Sequence, residues 1–154
     1  MHLQVDQGIT KIGDTKGPTY FALSNKEQHV IEVAATTKRE IVSWLREKEK
    51  FKPATYYQLF AACLFLLLKD HLGKTTEIRI DNEYKGHEAE IKGLLLGYIQ
   101  RLAKLDLQEL KDKIAIASLP KRNRADRLIH QVHQQKHPKL KAQRIHARQL
   151  KGML

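Results

Sequence analysis

A single cysteine, Cys63, stands among the 154 residues, so no intramolecular disulfide can close. That usage fits a reducing compartment. The longest uninterrupted apolar run, Leu59 to Leu68, is ten residues, where a membrane-spanning helix needs roughly 20. A transmembrane reading is therefore excluded. No basic, then apolar, then small-residue leader opens the chain, and a cytoplasmic location is expected. The P-loop, the dinucleotide fingerprint and the serine elbow are missing. A lone cysteine also rules out a cysteine-built zinc site. There is no internal repeat and no low-complexity tract. What is present suits one globular domain, with 42% hydrophobic and 29% charged residues over a length close to the common domain size.

Acid is scarce toward the C-terminus. Residues 121–154 carry ten lysines and arginines against one carboxylate, Asp126, whereas residues 1–120 carry 18 against 16. The net charge of +11 thus belongs mostly to a C-terminal segment on a nearly neutral body. Such asymmetry favours a polyanionic partner, DNA or RNA above all. Lys121, Arg122, Arg124, Arg127, Lys136, Lys139, Lys141, Arg144 and Arg148 would track phosphates, largely without reading sequence. The plainer reading is a solvated basic face that keeps the chain soluble.

Residues 3–6, 19–23 and 29–35 alternate as strands, with Gly8, Gly13 and Gly17 loosening the first connection, so an antiparallel meander is expected. Thr37 to Lys50 reads as a helix with Ile41, Trp44 and Leu45 on one face. Pro53 suits the first turn of the next helix. That helix is apolar all round over Leu59–Leu68 and belongs in the core. Glu77 to Asp81 is a strand ending on an acid. Ile91, Leu94, Leu95, Tyr98, Ile99 and Leu102 then mark an amphipathic helix over about His87–Lys104, where Gly93 and Gly97 would permit close packing. Leu107 to Lys111 adds a turn, Lys113 to Ser118 a further strand, and Asn123 can cap a last helix over about Arg124–Lys136. Residues 139–154 read as an appended helix or a mobile tail.

The strand at 77–81, the helix and the strand at 113–118 make a βαβ unit, whose strands run parallel. Active sites of open α/β sheets gather at the C-terminal edge of such strands. Asp81 stands there, Asp126 opens the following helix, and Asp6 joins them if residues 3–6 lie parallel beside 77–81. Clustered carboxylates repel one another and raise each other's pKa. Mg²⁺ or Mn²⁺ would neutralise them and could drive phosphodiester hydrolysis.

The order of these elements resembles the ribonuclease H-like superfamily, which includes junction resolvases, transposases and integrases. Val5-Asp6-Gln7-Gly8 is similar to its first-strand acid. Ile80-Asp81-Asn82-Glu83-Tyr84-Lys85-Gly86-His87-Glu88 is similar to its fourth-strand acid region, and Asn123-Arg124-Ala125-Asp126-Arg127-Leu128 to its last-helix segment. The resemblance covers about residues 1–135. It implies an α/β fold with a mixed sheet flanked by helices, to which residues 136–154 add a basic tail or helix. It also implies metal-dependent nuclease chemistry with Asp6, Asp81 and Asp126 as ligands. The family draws a further Glu from a helix, but residues 51–69 contain no acid, so Glu83 or Glu88 would supply it or it would be absent. A non-catalytic nucleic-acid-binding module on the same fold, or a protein-interaction module, is the alternative.

Each residue also has a plainer role. Asp81-Asn82 can form an Asx turn, and Asp126 can favour the helix dipole. His130, His133 and His137 share spacing on the last helix but suit a polar face. His87 and Glu88 suit solvated surface. Cys63 suits an inert core position. Tyr56 and Tyr57 suit packing at a helix start, or stacking on a base. Trp44 and the apolar side of its helix could form a homodimer face.

Overall fold

The structure, a computed structural model, describes residues 2–154. Three strands, β1 (His2–Ile9), β2 (Thr19–Ser24) and β3 (Gln28–Val33), form the antiparallel meander. β4 (Glu77–Asp81) runs parallel beside β1, with Leu3 opposite Ile78 and Val5 opposite Ile80. β5 (Ile114–Ala117) runs parallel beside β4, and a short β6 (Gln143–Arg144) runs parallel to β3. The six-stranded mixed sheet has the order β5-β4-β1-β2-β3-β6. Its helices are α1 (Ala35–Glu47), α2 (Thr55–Leu68), α3 (Glu88–Tyr98), α4 (Leu107–Lys113), α5 (Arg124–His133) and α6 (Ala147–Lys151). None among the described residues is long and apolar enough to cross a membrane.

Alternation along the strands sorts side chains to two faces. Leu3, Val5, Phe21, Leu23, Ile31, Ile78 and Ile80 point into one large core with α1, α2, α3 and α6. Tyr20, Ala22 and Val30 point the other way, under Ala125, Leu128, Ile129 and Val132 of α5. The apolar girdle of α2 follows from its place. Leu59 to Leu68 are all buried because the helix lies between β2 and β3 on one side and α3 and α6 on the other, and such a helix needs apolar groups all round.

Three expectations change. The periodicity of α3 breaks after Tyr98, where residues Ile99–Ala103 form a π-helical turn closed by the Lys104 amide on the Ile99 carbonyl. The extra residue rotates the following side chains off the buried stripe, and Leu102, assigned to the apolar face by its spacing, is 50% exposed. A Leu102→Gln substitution should therefore change stability by less than about 0.5 kcal/mol in a urea titration. Leu95→Ala, on the buried stripe, should cost about 2–5 kcal/mol. Gly93 and Gly97 do not serve close packing: a methyl group at either would meet no atom within 4 Å among the described residues. Finally, the basic C-terminal segment is built into the domain. Ile145 and Leu150 are buried in the main core, β6 widens the sheet, and α6 packs on α1. This packing brings Lys151 over Trp44, whose ring also carries Lys48.

Candidate metal centre and its basic rim

Asp6 follows Val5 on β1, and Asp81 follows Ile80 on β4. Since Val5 and Ile80 are register partners in a parallel pair, the two acids stand side by side on the face that α5 covers. The strand geometry alone brings them together. Glu83 returns to them from the turn after β4. There the Asn82 amide donates to the Ala117 carbonyl, and the Tyr84 ring anchors the chain against Tyr57 and Phe60. Carboxylate oxygens of Asp6, Asp81 and Glu83 all lie within 4.8 Å of one another.

Each acid is held by a different part of the chain. Asp6, 8% exposed, accepts the Gln7 amide at 2.8 Å and the Asn123 side-chain amide at 3.0 Å. Asp81 accepts the Leu119 amide at 2.8 Å. Lys11, from the β1–β2 loop, reaches the Glu83 carboxylate at 3.9 Å. Asn123 has a double role. Its oxygen caps α5 by accepting the Asp126 amide at 2.9 Å, while its nitrogen fixes Asp6, so helix start and site are joined through one side chain. The capping follows from local sequence; the bond to Asp6 spans 117 residues and has no local signal.

Burial pushes Asp6 up to about 6, reinforced by the Asp81 charge against the hydrogen bond from Asn123. Burial pushes Glu83 up to about 8, and its hydrogen bonds and repulsion with Asp81 and Asp6 add to that. Burial and mutual repulsion thus make the cluster hold protons more tightly than free carboxylates do. A divalent cation would replace those protons. The donor set fits: carboxylate oxygens suit Mg²⁺ or Mn²⁺.

Asp126 falls outside this group. It occupies the third position of α5, pairs with His130 at 3.5 Å, and its carboxylate lies 3.9 Å from where a side chain on Gly8 would begin. It thus stands beside β1, further along the strand than Asp6. Glu88 accepts the Asn82 side-chain amide at 2.6 Å. Among the described residues no other cluster of three metal-ligating side chains occurs. His130 pairs with Asp126, His133 packs edge-on to Tyr20, and His137 accepts the Lys139 and Leu140 amides. Cys63 is wholly buried, and desolvation pushes its thiol up to about 12.

The basic residues divide into two groups. Lys121, Arg122, Arg124 and Arg127 are exposed around the start of α5, next to Asn123 and hence to Asp6. Arg124 is tied to β1 through its amide on the Gln4 side chain and to Asn25 through its guanidinium. Lys139 and Lys141 lie in the connection after α5. Arg144 is on β6, paired with Glu32 at 3.0 Å, three strands from Asp6. Arg148 is on α6, on the opposite face of the sheet. Comparison of the chain with protein-family models, with curated proteins and with solved structures gives no match.

Proposed function

We propose that the chain is a divalent-metal-dependent nuclease, or a nuclease-like protein, on a ribonuclease H-like fold, acting on the phosphodiester backbone of DNA or RNA. The observation that carries this reading is the convergence of Asp6, Asp81 and Glu83 at the C-terminal edge of two parallel strands, beside a loop of exposed cations. The element order supports it: an acid-bearing first strand leads a meander, an acid-ending strand lies parallel beside it, and a capped helix covers the acids. Glu83, carried by the turn after β4, supplies the carboxylate that the acid-free α2 lacks.

Asp6, Asp81 and Glu83 would hold Mg²⁺ or Mn²⁺, which supplies an activated water and charge stabilisation for the leaving oxygen. Asn123 orients Asp6, and the Leu119 amide orients Asp81. Lys121, Arg122, Arg124 and Arg127 would grip the phosphates, so binding should weaken steeply with salt. Asp126, outside the cluster and paired with His130, would act on the far side of Asp6 rather than as a ligand.

Calorimetric titration of Mn²⁺ into the protein and into Asp81→Asn tests this. Binding in the wild type should fall at least about tenfold in the variant, and cleavage of single-stranded, duplex and hybrid substrates should vanish with it, at an unchanged circular-dichroism melt. Equal or absent Mn²⁺ binding in both proteins would favour the second reading, a metal-independent nucleic-acid-binding module, which the absence of any acid in α2 supports.

A further inference from the structure

Three of the five tyrosines gather at one place. Tyr56 and Tyr57, from the first turn of α2, and Tyr84, the residue after Glu83, line an open cleft of about 320 Å³ with Lys11, Gly13, Pro53 and the carboxylate-bearing Asp14. That volume lies at the small end of ligand pockets and suits one flat heterocycle rather than a chain or an extended peptide.

The rings are braced by neighbouring rings. His87 stacks on Tyr57 with centroids 4.2 Å apart, Tyr84 sets its edge against Tyr57 and Phe60, and Phe51 sets its edge against Tyr56. Braced rings lose little entropy on stacking with a ligand. Gly13 packs against Tyr56 so closely that a methyl group would stand 3.3 Å from the ring, so the loop backbone supports that side of Tyr56. The loop is also clamped, because the buried Lys38 ammonium donates to the carbonyls of Lys11 and Asp14 and to the hydroxyls of Thr10 and Thr19. Tyr56 and Tyr57 pack against the main core and still keep part of their surface exposed.

Lys11 joins this cleft to the carboxylates. Its ammonium lies 5.7 Å from the Tyr84 ring centre and 3.9 Å from the Glu83 carboxylate. We propose that the tyrosine cleft receives a nucleobase of the strand whose phosphate lies at Asp6, Asp81 and Glu83, with Lys11 on the phosphate between them. This rests on the nucleic-acid reading above and adds to it a base-binding subsite. Every base has a stacking face, so the subsite favours unpaired nucleotides over any one sequence.

The test uses the full chain and a fluorescent twelve-nucleotide single strand in Ca²⁺, followed by anisotropy, beside the same strand with its bases removed. The base-bearing strand should bind about tenfold tighter or more. Tyr56→Leu should erase that difference and leave binding of the abasic strand unchanged. Equal binding of the two strands by the wild type overturns the base subsite and leaves the nucleic-acid reading standing. A base preference that survives Tyr56→Leu and Tyr57→Leu together overturns the subsite as well. Binding of neither strand overturns the subsite, and the nucleic-acid reading falls with it only if duplex and hybrid of the same length also fail to bind.

Discussion

Without divalent cation, the protein should melt at a higher temperature at pH 5 than at pH 8. Glu83 is held up to about 8 and Asp6 up to about 6, against ordinary values of 4.5 and 3.8. A folded pKa above the unfolded one means that the native chain grips these protons more tightly. The resulting stabilisation is complete below about pH 4 and is lost as pH rises through 6 and then 8. Mn²⁺ should reverse the trend, because it takes the place of the proton and meets less competition at pH 8. At a hundredfold excess over Kd it would contribute about 2.7 kcal/mol, roughly 5–10 °C in Tm for a chain of this length. Glu83→Gln removes the carboxylate with the largest shift. That variant should be more stable than the wild type at pH 8 without metal, should lose the decline in Tm between pH 6 and 8, and should gain little from Mn²⁺. Parallel pH slopes for the two proteins would show that Glu83 does not titrate with the cluster.

Lys38→Met should lower stability by about 3 kcal/mol, measured by urea denaturation. Lys38 is 2% exposed, and burial lowers its ammonium to about 8. Replacing a buried charge with a similar apolar group is often neutral when its partners leave too. Here they do not. Two loop carbonyls and two threonine hydroxyls stay behind, and each buried polar atom left without a partner costs about 1–3 kcal/mol. Thr10 and Thr19 can turn to other acceptors, since Thr10 also donates toward the Gly17 and Pro18 carbonyls, which caps the loss. Ile9, just before Thr10, has φ 69°, a conformation disfavoured for a β-branched residue and worth about 1–3 kcal/mol of strain. The clamp on Thr10 holds the chain in it. Faster amide exchange across residues 10–18 in Lys38→Met would mark the loosened loop. A loss below about 1 kcal/mol with unchanged exchange would show that the lysine is not what fixes it.

Local pattern made much of the architecture legible. Alternation of Leu3 with Val5 and of Ile78 with Ile80 marks strands whatever the rest of the chain does, and the ten-residue apolar run could only be a core helix. Asn123 as a cap needs nothing beyond its own neighbours. The pattern misled where a neighbour far along the chain decided the outcome. Leu102 has the right spacing for the α3 core face, but the π turn after Tyr98 rotates it into solvent. Nothing in the residues around Lys38 marks it for burial, yet α1 begins at Ala35 and passes under the β1–β2 loop, where the ammonium finds four oxygens. The C-terminal segment reads as an appended helix or a tail because its charges dominate; α6 is that helix, and Ile145 and Leu150 tie the segment into the core.

The candidate site divides in the same way. Sequence alone determined that Asp6 and Asp81 end up on strands, since acid position and apolar alternation are read from a few adjacent residues. It also placed a dense run of cations next to Asn123. Only the tertiary structure decided which carboxylates come together. Parallel pairing of β1 with β4 set Asp6 beside Asp81, the turn anchored by Tyr84 brought Glu83 rather than Glu88 to them, and the axis of α5 left Asp126 further along β1. Those choices depend on strand register and helix orientation. Both are fixed by burial of apolar faces contributed from the whole chain, so no short stretch of sequence contains them.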